Sequence, residues 1–395
     1  MKKIKVLYGL EAGGGGALKH LSYLVCNLDK ALLDVTVAVS PVRSAVECHA
    51  ETEKMRASGA EVILLPMAKQ ISPWSDLAAL VRIYRLLGRS RYDVVHAHSS
   101  KAGVLFRIAA WLRNVPMILY TPHCFYFQAH TSFGQKYFYL GVELLLAAVT
   151  HRIIVSDSEK KALRAHSLFP AGKALVINNA IKFSGPSVPQ RTACIRQELG
   201  VPPAHFVVGS VGRLEPQKDW DTYLRAAHLV VQRRPDTTFL IVGSGSEEDK
   251  IRNAVRELGL GDHVRVTGYL PQTERIYAMM NIFVSTTRWE GLPYVFLEAM
   301  RHRKPIVTTA HGNDSVVLHN KTGLVLPCRD HHSIAESIVQ LIDNQERVVA
   351  LGNNGYRHLT EHFRFDVFME KHQSLYLAAR TSGREMTAPG SQVIG

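Results

Sequence analysis

Residues Asp93–His123 read "DVVHAHSSKAGVLFRIAAWLRNVPMILYTPH". Two short, nearly unbroken apolar runs, "DVVHAHS" and "MILYTPH", flank a longer amphipathic one, "AGVLFRIAAWLRN". Strands buried on both faces have this near-continuous apolar character, and a helix between two of them makes them parallel. The same alternation extends in both directions. "IKVLYGL", "DVTVAVS", "AEVILLP", "RIIVSDS" and "KALVINN" read as further buried strands, and "WSDLAALVRIYRLLGRS" as another helix. Such alternation specifies a doubly wound parallel α/β sheet.

The pattern breaks at Asn178–Gln190, "NNAIKFSGPSVPQ", where Gly185, Pro186 and Pro189 read as a linker. It restarts with "HFVVGSVGRL", "TFLIVGSGS", "HVRVTGYL", "IFVSTTR", "PIVTTA" and "GLVLP". At 395 residues the chain suits two such domains. We expect domains over 1–183 and 184–365, a C-terminal helix over 366–381 and a mobile tail over 382–395. Ligands of such sheets bind outside the carboxyl ends of the strands, here in a cleft expected between the domains.

Composition narrows the classes. Five scattered cysteines form no CxxC pair, which argues against a disulfide framework or zinc knuckle and for a reducing, cytoplasmic setting. The N-terminal "MKKIKVLYGLEAGG" fits a strand and loop better than a leader peptide. The longest apolar segment, "KYFYLGVELLLAAVTHR", holds Glu143 and is shorter than the ~20 residues of a spanning helix. Residues 1–183 carry 23 Lys and Arg against 12 Asp and Glu, a net +11, whereas the remainder carries 24 against 22, a net +2. That asymmetry points to an anionic partner for the first half, or to solubility alone. Arg82, Arg85 and Arg89 fall on one helical face, and Leu77, Leu80, Val81, Tyr84 and Leu87 form an adjoining stripe expected to pack inward.

Several motifs sit at strand ends. Gly13–Gly16 in "EAGGGGALKHL" could admit a phosphate to a helix N-terminus or simply make a tight turn. The spacing is neither GxGxxG nor a P-loop. "VGRLEPQKDWDTYL" places Arg213 and Lys218 after a strand, where two cations can hold a diphosphate. The "DWD" at Asp219–Asp221 looks like a DxD metal motif but opens a helix, and we read it as a cap. No metal is expected.

"GRLEPQKDW", "FLIVGSGSEEDKI", "VRVTGYLPQTERIYAMMNIFVSTTRWEGLPYVFLEAM" and "KPIVTT" together resemble the retaining glycosyltransferases of family 4. "EAGGGGALKHL", "DVVHAHSSKAG" and "YTPHCFYF" agree, so the resemblance runs from Ile4 to about Ala379. It implies a GT-B fold: two Rossmann-like domains facing a cleft, with the terminal helix returning to the first. It also implies sugar transfer, with retention, from a nucleoside-diphosphate sugar (UDP-linked is expected) to a glycan or lipid-linked acceptor of surface polysaccharide or glycolipid.

Residue by residue, the resemblance assigns Glu298 to the ribose hydroxyls, Glu290 and His123 to the transferred sugar, and Arg213 and Lys218 to the diphosphate. Gly14, Gly15, Gly16, Gly243, Tyr269, Leu270, Gly291, Leu292 and Pro293 join the donor site, with Pro293 in the first turn of a helix. A carboxylate accepts two hydroxyl hydrogens at once, which suits both glutamates to sugar. Departures stand at "HGNDSVV", "AMRHRKP" and "NNAIK", where many members read GG-x-x-E, Gly in place of Arg303, and NGID. Two other readings stay open, an epimerase of the same fold and a basic nucleic-acid-binding protein, although no nucleic-acid recognition motif is present and none is expected as a partner. The expected location is the cytoplasmic face of the membrane, bound peripherally through Arg82, Arg85 and Arg89.

Overall fold

The computed structural model describes residues 2–68, 70–128, 132–164, 171–182, 192–309 and 315–379. The linker's Gly185, Pro186 and Pro189, His311–Asp314 of "HGNDSVV", and the expected tail lie outside these. The chain divides into two compact units, Met1–Asn178 with the segment from Asp366, and Asn179–Phe365.

In the first unit, strands β1 (Ile4–Leu10), β2 (Leu33–Val39) and β3 (Glu61–Leu64) alternate with helices α1 (Gly15–Asn27) and α2 (Ala45–Ala57). Helix α3 (Pro73–Arg89) leads to β4 (Val94–His98), α4 (Ser100–Leu112), β5 (Met117–Thr121) and α5 (Phe133–Val149). Then come β6 (Arg152–Val155), α6 (Asp157–Arg164) and β7 (Ala174–Val176). The sheet order is β3-β2-β1-β4-β5-β6-β7, and every pairing is parallel.

In the second unit, α7 (Thr192–Glu198) precedes β8 (Phe206–Val211), α8 (Trp220–Arg233), β9 (Thr237–Val242) and α9 (Glu248–Glu257). They are followed by β10 (Val264–Gly268), α10 (Thr273–Met279), β11 (Ile282–Ser285) and α11 (Tyr294–Arg301). Strands β12 (Ile306–Thr309) and β13 (Gly323–Leu326), with helices α12 (His331–Ile342) and α13 (Gln345–His362), complete it. This sheet is also parallel, in the order β10-β9-β8-β11-β12-β13. Helix α14 (Phe365–Leu377) belongs to the first unit from Asp366 onward, where Tyr376 packs edge-on to Tyr8. All thirteen strand segments read from the sequence contain a strand.

Each order reverses direction once, between β1 and β4 and between β8 and β11. At such a switch point the following loops leave in opposite directions and open a crevice.

Glu143, the charge inside the long apolar run, is buried on α5. It takes Arg107 Nη2 at 2.8 Å and the Tyr120 hydroxyl at 3.0 Å, and the guanidinium lies 3.9 Å from the centre of the Tyr120 ring. The carboxylate is therefore paired and hydrogen-bonded, as a buried charge must be. Arg303, where the resemblance leads one to expect glycine, does adopt a left-handed φ of 53°. Its guanidinium over Tyr356 (4.1 Å) and its bond to Asn353 (2.8 Å) offset that strain.

The inward stripe expected on α3 needs correction. Ala79, Ile83, Leu86 and Leu87 are buried, whereas Trp74, Leu77, Val81 and Tyr84 are exposed and Leu80 is half-buried. Residues 74, 77, 81 and 84 repeat at helical spacing and so share one face. Arg82, Arg85 and Arg89 are exposed beside them. Of the expected stripe, Leu87 meets the core and Leu80 packs against it, whereas Leu77, Val81 and Tyr84 face outward because Ala79 and Ile83 take the core-facing positions of those turns. Helix α5 likewise exposes Phe133, Tyr137, Phe138 and Leu145. Among the described residues no helix is long and apolar enough to cross a membrane.

Candidate active site

The second unit gathers most of the sequence-selected residues at its switch point. The loop after β8 carries Arg213 and Lys218, and the loop after the neighbouring β11 carries Glu290. Lys218 Nζ and Glu290 Oε1 form an ion pair, with both side chains about 15% exposed. The Thr287 hydroxyl also reaches this carboxylate at 3.4 Å.

The two loops are sewn together along their backbones. Thr286 donates its hydroxyl to the Lys218 carbonyl (2.8 Å), Gln217 Nε2 donates to the Trp289 carbonyl (2.6 Å), and Arg288 N–H donates to the Gln217 carbonyl (2.8 Å). Sequence reasoning found the two charged ends of this arrangement and missed the polar stitches, which join residues some 70 positions apart. Gly212 lies beneath the lysine stem: a Cβ there would stand 3.3 Å from Lys218 Cε. Arg213 is half-buried and has no side-chain partner among the described residues. Its guanidinium is available to a ligand.

Gly243 follows β9 with φ 141°, and a Cβ on it would lie 1.9 Å from the Gly212 carbonyl. Its role as seen here is to let two loops approach. Tyr269 and Leu270 follow β10, the first exposed and the second half-buried. Gly291, Leu292 and Pro293 are buried and lead into α11. Pro293 is the N-cap, one position before the first turn expected for it, with its φ of −75° but an extended ψ. Asn179 Nδ2 fixes this approach by donating to the Leu292 carbonyl at 2.6 Å. Glu298 sits in the second turn of α11 and is buried.

The reading of "DWD" as a cap is corrected. Asp219 stands at the N-cap of α8 with a left-handed φ of 54°, yet its carboxylate bonds no backbone N–H there. It takes Arg288 at 3.1 Å and the Thr222 hydroxyl at 3.0 Å. Asp221 is exposed and pairs with Arg225 along the helix at 3.0 Å. The two acids thus face separate arginines. The twisted backbone at Asp219 aims its side chain at the β11 loop, which no local motif could reveal.

In the first unit the glycine loop holds an anion of its own. Gly15 N–H, at the start of α1, donates to Glu47 Oε2 at 2.6 Å. Glu11 at the end of β1 pairs with Arg43 through two bonds of 2.7 Å. Gly13 is required for close packing, since a Cβ would lie 1.9 Å from the Ser40 carbonyl. Gly14 is crowded by Glu47 and Ser44, whereas Gly16 faces open space. A donor phosphate at this helix end would compete with Glu47.

His123 follows β5 with a left-handed φ of 57°, and Cys124 continues at 110°. Such conformations cost about 1–3 kcal/mol each in side-chain-bearing residues and persist where surroundings impose them. Here the Glu159 carboxylate accepts the Cys124 N–H at 2.6 Å and the Ser156 N–H at 2.8 Å. Burial pushes the Glu159 carboxyl up, and the bonds from Ser156 and Cys124 pull it back.

His123 joins a cluster the sequence reading passed over. His96 and His98 are two apart on β4 and so share a face, the one signal that could have exposed them. His98 Nδ1 lies 3.0 Å from His123 Nε2, and His20 of α1 packs edge-on to His123 with ring centres 4.7 Å apart. His96 is held by Tyr376 at 2.9 Å and Thr121 at 2.8 Å. Burial drives His123 down to about 3, with His372 adding to it, and holds His98 well below the ordinary imidazole range. Burial thus favours the neutral form of His98 and His123.

Comparisons with known proteins bear on both units. A family model described as "Glycosyl transferases group 1" matches residues 192–358, and one described as "Glycosyl transferase 4-like domain" matches residues 15–180. The UDP-Gal:alpha-D-GlcNAc-diphosphoundecaprenol alpha-1,3-galactosyltransferase of Escherichia coli is 30% identical over 71% of this chain and 74% of its own length. The capsular polysaccharide biosynthesis glycosyltransferase CapM of Staphylococcus aureus is 26% identical over 79% of this chain and 84% of its own. Among solved structures, Anabaena HepE in complex with UDP-glucose aligns with a TM-score of 0.81 at 21% identity, covering 95% of this chain and all of that one.

Proposed function

The chain belongs to the group 1 glycosyltransferases with a 4-like N-terminal domain and the GT-B fold, and from that premise we propose that it moves a sugar from a UDP-sugar, with retention, to a lipid-linked glycan. That it is a glycosyltransferase acting on a polysaccharide or lipid-linked acceptor follows from the family itself. The donor base and stereochemistry are the proposal.

One observation carries it: Lys218 and Glu290 meet at the β8/β11 switch point, and Arg213, without a side-chain partner among the described residues, lies on the same loop after β8 as Lys218. In this reading Lys218 and Arg213 take the diphosphate and stabilise the charge that grows on it as the sugar leaves. Glu290, released from Lys218, accepts sugar hydroxyls, and Glu298 accepts the ribose hydroxyls. His123, neutral, bonds the transferred sugar. Charge balance comes from arginine and lysine, so no divalent metal is required for turnover.

The first unit is proposed to dock on an anionic membrane. The exposed Trp74–Leu77–Val81–Tyr84 face of α3, flanked by Arg82, Arg85 and Arg89, supports this, because aromatic rings and arginines suit the lipid interface.

The test is a thermal-shift series with UDP, GDP and ADP, followed by transfer from the matching UDP-sugars to a polyprenyl-diphosphate-linked acceptor. UDP should raise the melting temperature most, and NMR of the product should show the donor's anomeric configuration kept. A preference for GDP would overturn the donor assignment, and an inverted product the stereochemistry. Conversion of the donor without any acceptor would favour an epimerase.

A further inference from the structure

We propose that His20, His98 and His123 form a three-imidazole site for a borderline divalent transition metal of the zinc class, and that its occupation inhibits the enzyme. One ligand nitrogen from each ring lies within 4.8 Å of the others, the only such group of metal-ligating side chains among the described residues. The three come from separate elements, α1, β4 and the loop after β5, and all belong to the first unit.

Tetrahedral zinc binds imidazole nitrogen at about 2.0–2.1 Å. The His98 Nδ1–His123 Nε2 contact of 3.0 Å is already close to the edge such a tetrahedron requires. A metal replaces the proton that now bridges this pair. His98 Nε2 is buried without a hydrogen-bond partner among the described residues, so a second tautomer of that ring incurs no lost bond.

An all-nitrogen set with no carboxylate favours zinc, cobalt, nickel or copper over magnesium, calcium or manganese. His96 is not a ligand, because both of its nitrogens are engaged by Tyr376 and Thr121. Three protein ligands leave a fourth position for water. The inhibitory half rests on the proposed role of His123: a metal on its Nε2 fixes the proton on Nδ1, so the ring can no longer accept a bond from a sugar hydroxyl.

The experiment titrates Co(II) into the untagged full chain and follows visible absorption. One equivalent should develop the intense bands of tetrahedral cobalt and be displaced by Zn(II). X-ray absorption of the zinc-loaded wild type should count three imidazole nitrogens at about 2.0 Å, a measurement independent of any variant. His20→Asn and His98→Gln should each weaken Co(II) binding at least tenfold, while a His331→Gln/His332→Gln surface control should not. No tetrahedral spectrum, fewer than three imidazoles, or binding indifferent to both variants overturns the site. Zn(II) should also abolish sugar transfer reversibly. Tetrahedral binding at one equivalent with turnover intact would leave the site standing and remove His123 from the sugar.

Discussion

Replacing Glu290 by Gln removes one charge from the Lys218–Glu290 pair while keeping the side chain's size. Both members are about 15% exposed, so water reaches the orphaned ammonium only in part. Breaking a fully buried pair costs about 3–5 kcal/mol, and the residual exposure here brings the expectation to about 2 kcal/mol. The unit that holds the pair spans Asn179–Phe365, in the size range where 1 kcal/mol moves a melting temperature by about 2–4 °C. A drop of about 4–8 °C should follow. Hydrogen exchange should locate the loss around α8 and α11. UDP should then stabilise Glu290→Gln by more degrees than it stabilises wild type, because the diphosphate no longer has to draw Lys218 away from a carboxylate. Turnover should fall about 10- to 100-fold, the worth of one charged hydrogen bond to a sugar hydroxyl. The double variant Lys218→Met/Glu290→Gln should regain most of the lost stability and none of the UDP effect. A single variant that melts with wild type, or a double variant that loses the sum of both single losses, would refute the coupling.

Glu298→Gln should weaken UDP binding by about 1.5–3 kcal/mol in calorimetry with the fold intact; unchanged affinity would remove Glu298 from the ribose. Transfer should survive EDTA, since Asp219 and Asp221 are committed to Arg288 and Arg225, and a loss restored by manganese or magnesium would show otherwise. His372 is buried and its pKa is driven down to about 4 by that burial. The unfolded chain binds the proton first, so stability falls as pH drops from about 6.5 toward 4, by about 2 kcal/mol between pH 7 and 5. His372→Gln should flatten that slope in pH-dependent denaturation, and an unaltered slope would discount the residue. Arg82→Gln/Arg85→Gln/Arg89→Gln should weaken sedimentation with anionic vesicles at low salt and spare UDP binding; wild type that never sediments would place the acceptor in solution.

The strand and helix pattern was legible from the chain alone because burial on both faces leaves a local, unbroken apolar signature in every central strand. The Glu290–Glu298 spacing was legible too, since only a turn and the first turn of one short helix separate the two. What no local signal carried were the partnerships of residues brought together by the sheet order. Lys218 and Glu290 are 72 positions apart and meet only because β8 and β11 are neighbours. Asp219 reads as a helix cap until a left-handed backbone turns it toward Arg288, and Glu47 takes the helix end that the glycines alone leave open. The α3 stripe misled because periodicity finds an apolar face without telling whether the core or the solvent lies against it. His20, His98 and His123 show the same division most clearly: three ordinary histidines in sequence, they converge because β1, β4 and β5 lie side by side and carry α1 and the β5 loop to one edge.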